Sequence, residues 1–110
     1  MIKLPMPPSV NHLYRNLSGK GRVRTRLYKS WETAAGYAIL EQRPEKHKGD
    51  VQLYITCGPR NKRADISNRI KATEDLLVKT GIIEDDRFVL RVTAQWADDV
   101  DGCLVDVRAA

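Results

Sequence analysis

Val51-Gln52-Leu53-Tyr54-Ile55-Thr56-Cys57-Gly58-Pro59, running on through Arg60-Asn61-Lys62-Arg63-Ala64-Asp65-Ile66-Ser67-Asn68-Arg69-Ile70-Lys71 to Gly81, is the stretch on which the fold turns. Its first seven residues alternate. Val51, Leu53, Ile55 and Cys57 form one apolar row and Gln52, Tyr54 and Thr56 a more polar one, the pattern of a half-buried strand. Gly58-Pro59 ends that strand. After the basic segment the period changes: Ile66, Ile70, Thr73 and Leu77 fall on one side of a helix, and Gly81 suits the position just beyond its C-terminus.

Phe88–Trp96 and Cys103–Arg108 read as two more strands, separated by the turn-forming Asp98-Asp99-Val100-Asp101-Gly102. Towards the N-terminus, Trp31, Ala34, Ala35, Ala38 and Ile39 mark one face of a helix over Lys29–Gln42, with Ser30 as its expected N-cap and Pro44 as its stop. Met1–Met6 reads as a short extended segment, and Pro7-Pro8 stiffens the approach to Ser9-Val10-Asn11-His12-Leu13-Tyr14. Asn16–Arg26, with Ser18, Gly19, Gly21 and four basic side chains, reads as a mobile, positively charged loop. The order strand, helix, strand, helix, strand, strand predicts one α+β domain over residues 1–110, with two helices packed on a mixed β-sheet.

Charge is unevenly distributed. The net charge is +5, yet Met1–Trp31 holds Lys3, Arg15, Lys20, Arg22, Arg24, Arg26 and Lys29 without a single acid, whereas acids outnumber arginines from Glu84 onward. A basic front and a carboxylate-rich back suit a nucleic-acid surface beside acidic sites, although solvated basic loops give the same count. Cys57 and Cys103 both lie in strand-like runs and are expected to be buried, reduced thiols. No zinc-type Cys/His spacing occurs, no apolar run is long enough to span a bilayer, and Lys3 and Pro5 break any signal-peptide core. A cytoplasmic protein is expected.

The acids around the second helix carry the chemistry. At 100° per residue from Asp65, the apolar face lies at about 80–140°, while Asn68, Lys71 and Asp75 lie at about 240–300° as a separate polar stripe. Each piece has an ordinary structural explanation: Asp65 as an N-cap, Lys71 and Asp75 as an exposed ion pair, Asp85-Asp86 as an acidic turn. Taken together they suggest more. Arg60, Lys62 and Arg63 precede Asp65, and carboxylates inside a basic field repel a polyanion unless they hold a cation against it. Mg²⁺ needs only two or three oxygen ligands from protein when phosphate and water supply the rest. A metal-dependent nuclease is the reading these residues favour.

Two segments also resemble a family. Arg60–Asn68 with Lys71, Asp75 and Gly81-Ile82-Ile83-Glu84-Asp85-Asp86 is similar to the RusA family of Holliday-junction resolvases, which has an Asp-x-Asp-Asn motif after a run of arginines, then a lysine-bearing helix and a Gly-x-x-x-Asp-Asp segment. Pro7-Pro8-Ser9-Val10-Asn11 is similar to that family's Pro-Pro-Ser-x-Asn opening. The resemblance implies a small homodimeric, Mg²⁺-dependent endonuclease, with Mn²⁺ as a substitute, that resolves four-way DNA junctions in recombination and repair and is of phage or prophage origin. It casts Asp65, Asp86 and Lys71 as catalytic, and places Asp65, Asp86, Asp85 and position 67 around the metal. Arg60, Lys62, Arg63, Arg69, Arg22, Arg24, Arg26 and Asn11 are the expected DNA contacts. Ser67 departs from the pattern, standing where the family has its second aspartate. Asp75 or Asp85 would then supply the missing oxygen, or the protein would be a non-catalytic module that holds branched DNA.

Overall fold

A computed structural model describes all 110 residues. Four strands form a mixed sheet in the order β1 (Ile2–Leu4), β6 (Gly102–Ala109), β4 (Val51–Gly58), β5 (Val89–Trp96). β6 runs antiparallel to both neighbours, and β4 and β5 are parallel. The alternation in β4 holds: Val51, Leu53, Ile55 and Cys57 are buried and their neighbours half-buried. One face of the sheet carries the core, against which helices α1 (Arg26–Gln42) and α2 (Ile70–Lys79) pack. The expected α+β architecture is therefore present, and no helix is long and apolar enough to cross a membrane. Cys57 and Cys103 are free, buried and directly opposite one another across β4 and β6.

The last two strands are not neighbours. β6 inserts between β1 and β4, so the Ala97–Asp101 connection must cross the end of β4. It does so at Gly58, where the Ala97 amide donates to the Cys57 carbonyl at 2.9 Å. A Cβ at Gly58 would overlap the carbonyl oxygens of Ala97 and Val100, so the missing side chain makes room for the crossing. The free edge of β1 is closed by Gln42 at the end of α1. Its Oε1 accepts from the Lys3 amide at 2.8 Å, and its Nε2 donates to the Lys3 carbonyl at 2.7 Å.

Three expectations need correction. The supposed mobile loop is an antiparallel ribbon of β2 (Tyr14–Leu17) and β3 (Gly21–Arg24), turned through Gly19 and Gly21 at φ of 77° and 69°. α1 begins at Arg26 rather than Lys29, and its N-cap is Thr25, whose hydroxyl accepts from the Tyr28 amide at 3.1 Å. Ser30 lies inside the helix. The second helix starts as a 3-10 turn, Ile66–Arg69, and becomes α-helical only at Ile70. A 3-10 turn advances about 120° per residue instead of 100°, so the apolar face slips in phase. The residues that α2 buries are Ala72, Thr73, Leu76 and Leu77, while Ile66 and Ile70 are only half-buried.

Gly58→Ala should destabilise the protein by about 3 kcal/mol or more, because the added methyl meets backbone that cannot rotate away. Urea denaturation of parent and variant at one pH checks this. A midpoint within experimental error of the parent's would show that the crossing has slack.

Candidate functional site

The proline-rich entry segment cannot donate from Pro5, Pro7 or Pro8 to any sheet, but its carbonyls still accept. Trp31 Nε1 donates to the Pro5 carbonyl at 2.9 Å, and Arg69 Nη1 to the Pro7 carbonyl at 2.8 Å. These bonds bring the Val10–His12 turn, capped by Ser9, against the 3-10 turn at Ile66–Arg69. Between them lies an open groove of about 400 Å³ walled by Ser9, Asn11, His12, Arg63, Asp65 and Asn68, among others. The two segments quoted above thus meet in space. Arg69, expected as a DNA contact, is half-buried and tied to Pro7, so its first role here is as a strut.

Asp65 is the N-cap of the 3-10 turn by position, with an extended backbone at φ −92° and ψ 131°, yet its side chain makes no capping hydrogen bond. The carboxylate is free. Arg60, Lys62 and Arg63 are exposed, and none pairs with a carboxylate; only the backbone amides of Arg60 and Arg63 are engaged, by Asp98 and Asn61. The ribbon cations differ. Arg24 pairs with Glu32, the Arg22 guanidinium lies 3.9 Å from the Tyr14 ring centroid, and Arg26 is exposed at the start of α1.

A second group gathers where α2 faces the Asp86–Phe88 turn. Lys71 Nζ donates to Asp75 Oδ1 at 3.0 Å, and that bond holds the ammonium pKa above its ordinary value, with the charges of Glu74 and Asp86 adding to it. Burial, and after it the Asp86 charge, lifts the carboxyl of Glu74 above the ordinary glutamate value. Asp85 caps the turn, accepting from the Arg87 amide at 3.0 Å, and that bond lowers its pKa. Asp86 has no cationic partner. Asp75 also faces α1, where burial, Glu32 and then Asp75 push the Tyr28 hydroxyl up to about 12.

The structure therefore brings Lys71, Asp75 and Asp86 together and adds Glu74, which the sequence reading missed. Counted from Asp65, Glu74 stands at about 180°, between the apolar face and the polar stripe, so neither pattern claims it. The available signal was its place one helical turn from Lys71. Ser67 is exposed on the 3-10 turn and does not line the groove. No three acidic, histidine or cysteine side chains close around one point as an ion cage. The free donors are nevertheless carboxylate oxygens, which suit a hard divalent cation that keeps much of its water.

The family profile described as endodeoxyribonuclease RusA matches residues 5–108. The chain is also similar to the crossover junction endodeoxyribonuclease RusA of Aquifex aeolicus (strain VF5), at 28% identity over 116 residues, covering 98% of this chain and 87% of that protein.

Because the raised Glu74 pKa lets the folded protein hold a proton that the unfolded chain has released, stability falls as pH rises through that window. In metal-free buffer, Glu74→Gln should raise the urea midpoint at pH 7 and leave it nearly unchanged near pH 3, where both states are protonated. An equal effect at the two pH values would assign the change to packing instead.

Proposed function

This chain belongs to the RusA endodeoxyribonuclease family and is a DNA-hydrolysing enzyme, and from that premise we propose that it is a divalent-metal-dependent resolvase of four-way DNA junctions. The observation that carries the reading is the free carboxylate of Asp65, uncapped at the head of its turn and preceded by three basic side chains without acidic partners. A stability role would have used that carboxylate on the Ser67 or Asn68 amide and paired those cations locally.

Arg60, Lys62 and Arg63 bind phosphate oxygens and fix the strand across the groove without reading bases. Asn11 and Asn68 line the same groove and offer amide donors to the backbone. Asp65 and Asp86 would hold a divalent ion, Mg²⁺ by preference with Mn²⁺ in its place, and the ion when bound would lower the pKa of an attacking water and neutralise a phosphoryl oxygen. Lys71, whose ammonium Asp75 holds, would neutralise charge developing on the scissile phosphate. Resolving a junction requires two symmetrical cuts, which a two-fold homodimer provides. α1 leaves Leu27, Tyr37 and Leu40 exposed, apolar surface of the kind a dimer interface covers. The thiols of Cys57 and Cys103 suit the reducing cytoplasm.

Asp65→Asn and Asp86→Asn should each lower cleavage of a labelled four-way junction by more than about 100-fold while binding is kept or tightened, since loss of a direct ligand exceeds the about 10–100-fold typical of its supporting shell. Parental cleavage rates in both would remove these acids from the site. Junction binding without nicking by the parent, in Mg²⁺ and in Mn²⁺, would point to a binding module.

For the basic segment, replacing Arg60, Lys62 or Arg63 by alanine should reduce the slope of log affinity against log salt by about 0.9 per residue, equally for unrelated arm sequences. A slope unchanged in the triple variant would move the DNA path elsewhere. Light scattering at assay concentrations should give a dimer mass, and a monomer that still resolves both strands in one encounter would argue against the paired arrangement.

A further inference from the structure

We propose that the β2–β3 ribbon reads the branch in the substrate: its outer face, Arg15 with Leu17 and Val23, seats on the base pair laid open at the centre of a DNA junction. This rests on the nuclease reading above and names the feature by which that site selects its DNA. The ribbon rises from the mouth of the groove. His12 just before it and Leu27 just after it both line the groove beside Asp65, and the Thr25 hydroxyl ties the ribbon's end to the His12 carbonyl at 2.6 Å. Strands of four residues carry it about 14 Å outward, at about 3.4 Å per residue.

Its two faces differ. The register sets Tyr14 opposite Arg24 and Asn16 opposite Arg22, so these four side chains share one face, and Arg15 stands opposite Val23 on the other with Leu17. The first face is occupied: the Tyr14 ring meets Tyr28 edge-on at 5.8 Å between centroids, Arg24 pairs with Glu32, and Arg22 lies over Tyr14. Both Tyr28 and Glu32 belong to α1, so the second face points away from the helix. There Leu17 and Val23 stand outside the core cluster, and Arg15 is exposed and pairs with no carboxylate. A cation alone suits any phosphate backbone. An arginine beside two apolar side chains that the core does not claim suits a phosphate next to a base-pair face. Within a continuous duplex every such face is stacked, and an apolar side chain must pry it open; at a branch point the face is already free. The outer face thereby favours branched over linear DNA, which the phosphate contacts of Arg60, Lys62 and Arg63 do not.

The test compares binding of a four-way junction and of a linear duplex of the same sequence, by fluorescence anisotropy in metal-free buffer, with circular dichroism to establish folding. Parent, Leu17→Ser with Val23→Ser, Arg15→Ala, and Lys48→Ala in the connector at the opposite end of β4 are measured. The serine pair should weaken junction binding about tenfold or more while duplex binding stays within about twofold, so the preference collapses. Arg15→Ala should weaken junction binding and lower the salt slope by about 0.9, and Lys48→Ala should match the parent. A fluorescent adenine analogue at the branch point should change its emission when the parent binds and not when the serine pair does. Leu17→Ala alone gives the same comparison should the double variant fold poorly. A folded serine pair that keeps the parental preference and the emission change overturns the inference, and the nuclease reading stands as long as the parent cuts the junction. A parent that binds both DNAs alike yet cuts the junction also removes the inference alone. One that neither prefers nor cuts the junction removes the resolvase reading with it.

Discussion

Two side-chain donors hold the whole site together: the indole of Trp31 on the Pro5 carbonyl and the guanidinium of Arg69 on that of Pro7. A proline-rich strand end has acceptors but few donors, so the sheet cannot recruit it and something else must. Trp31 comes from α1 and Arg69 from the turn that leads into α2. The entry segment is thereby fastened to both helices, and the Ser9–His12 turn is carried to the mouth of the groove. Arg69 Nε is buried without a partner, a desolvation cost of about 1–3 kcal/mol set against the bond its Nη1 makes.

The groove inherits its rigidity from the sheet behind it. β4 is central, bonded on both sides along its length, and its C-terminal end releases the chain directly into the basic segment. The crossing of Ala97–Asp101 over Gly58 fixes that exit, and Asp98 accepts from the Arg60 amide two residues later. Arg60, Lys62 and Arg63 therefore start from an anchored point while their side chains stay free. On the far side, Thr25 joins ribbon, turn and helix. Its hydroxyl donates to the His12 carbonyl and accepts from the Tyr28 amide, and its amide donates to Leu13. The basic ribbon is consequently fastened to a structured base.

Much of this was legible in the sequence because single-period patterns survive translation into structure. β4 alternates along its length and β6 over its first four residues, long enough for one buried face to show, whereas β5 buries no residue fully. The ribbon was not legible. Its strands have four residues with few apolar side chains and none fully buried, and its support is Tyr14 packed on the core with a cation over its ring, together with the Arg24–Glu32 pair. The start of α1 was hidden for the same reason, since Thr25 sits among cations that look like loop. The insertion of β6 between β1 and β4 has no local signature at all. Only Gly58, which read as a strand terminator, carried a trace of it.

The acids show how a site's chemistry is constrained by bonds more than by positions. A hard cation needs oxygens at particular points, and a helix offers candidate positions every three or four residues along one side. What selects among them is engagement. Asp75 lies at helical spacing from Lys71 and is taken by it; Asp85 lies beside Asp86 and is taken by the backbone of its own turn. Position 67 stands on a 3-10 turn, where hydrogen-bond geometry is poorer than in the α-helix that follows. Glu74 stands within that helix, flanked by buried Thr73 and Leu77, so its backbone is the better fixed of the two. The folded protein carries the repulsion between Glu74 and Asp86 on that firmer support.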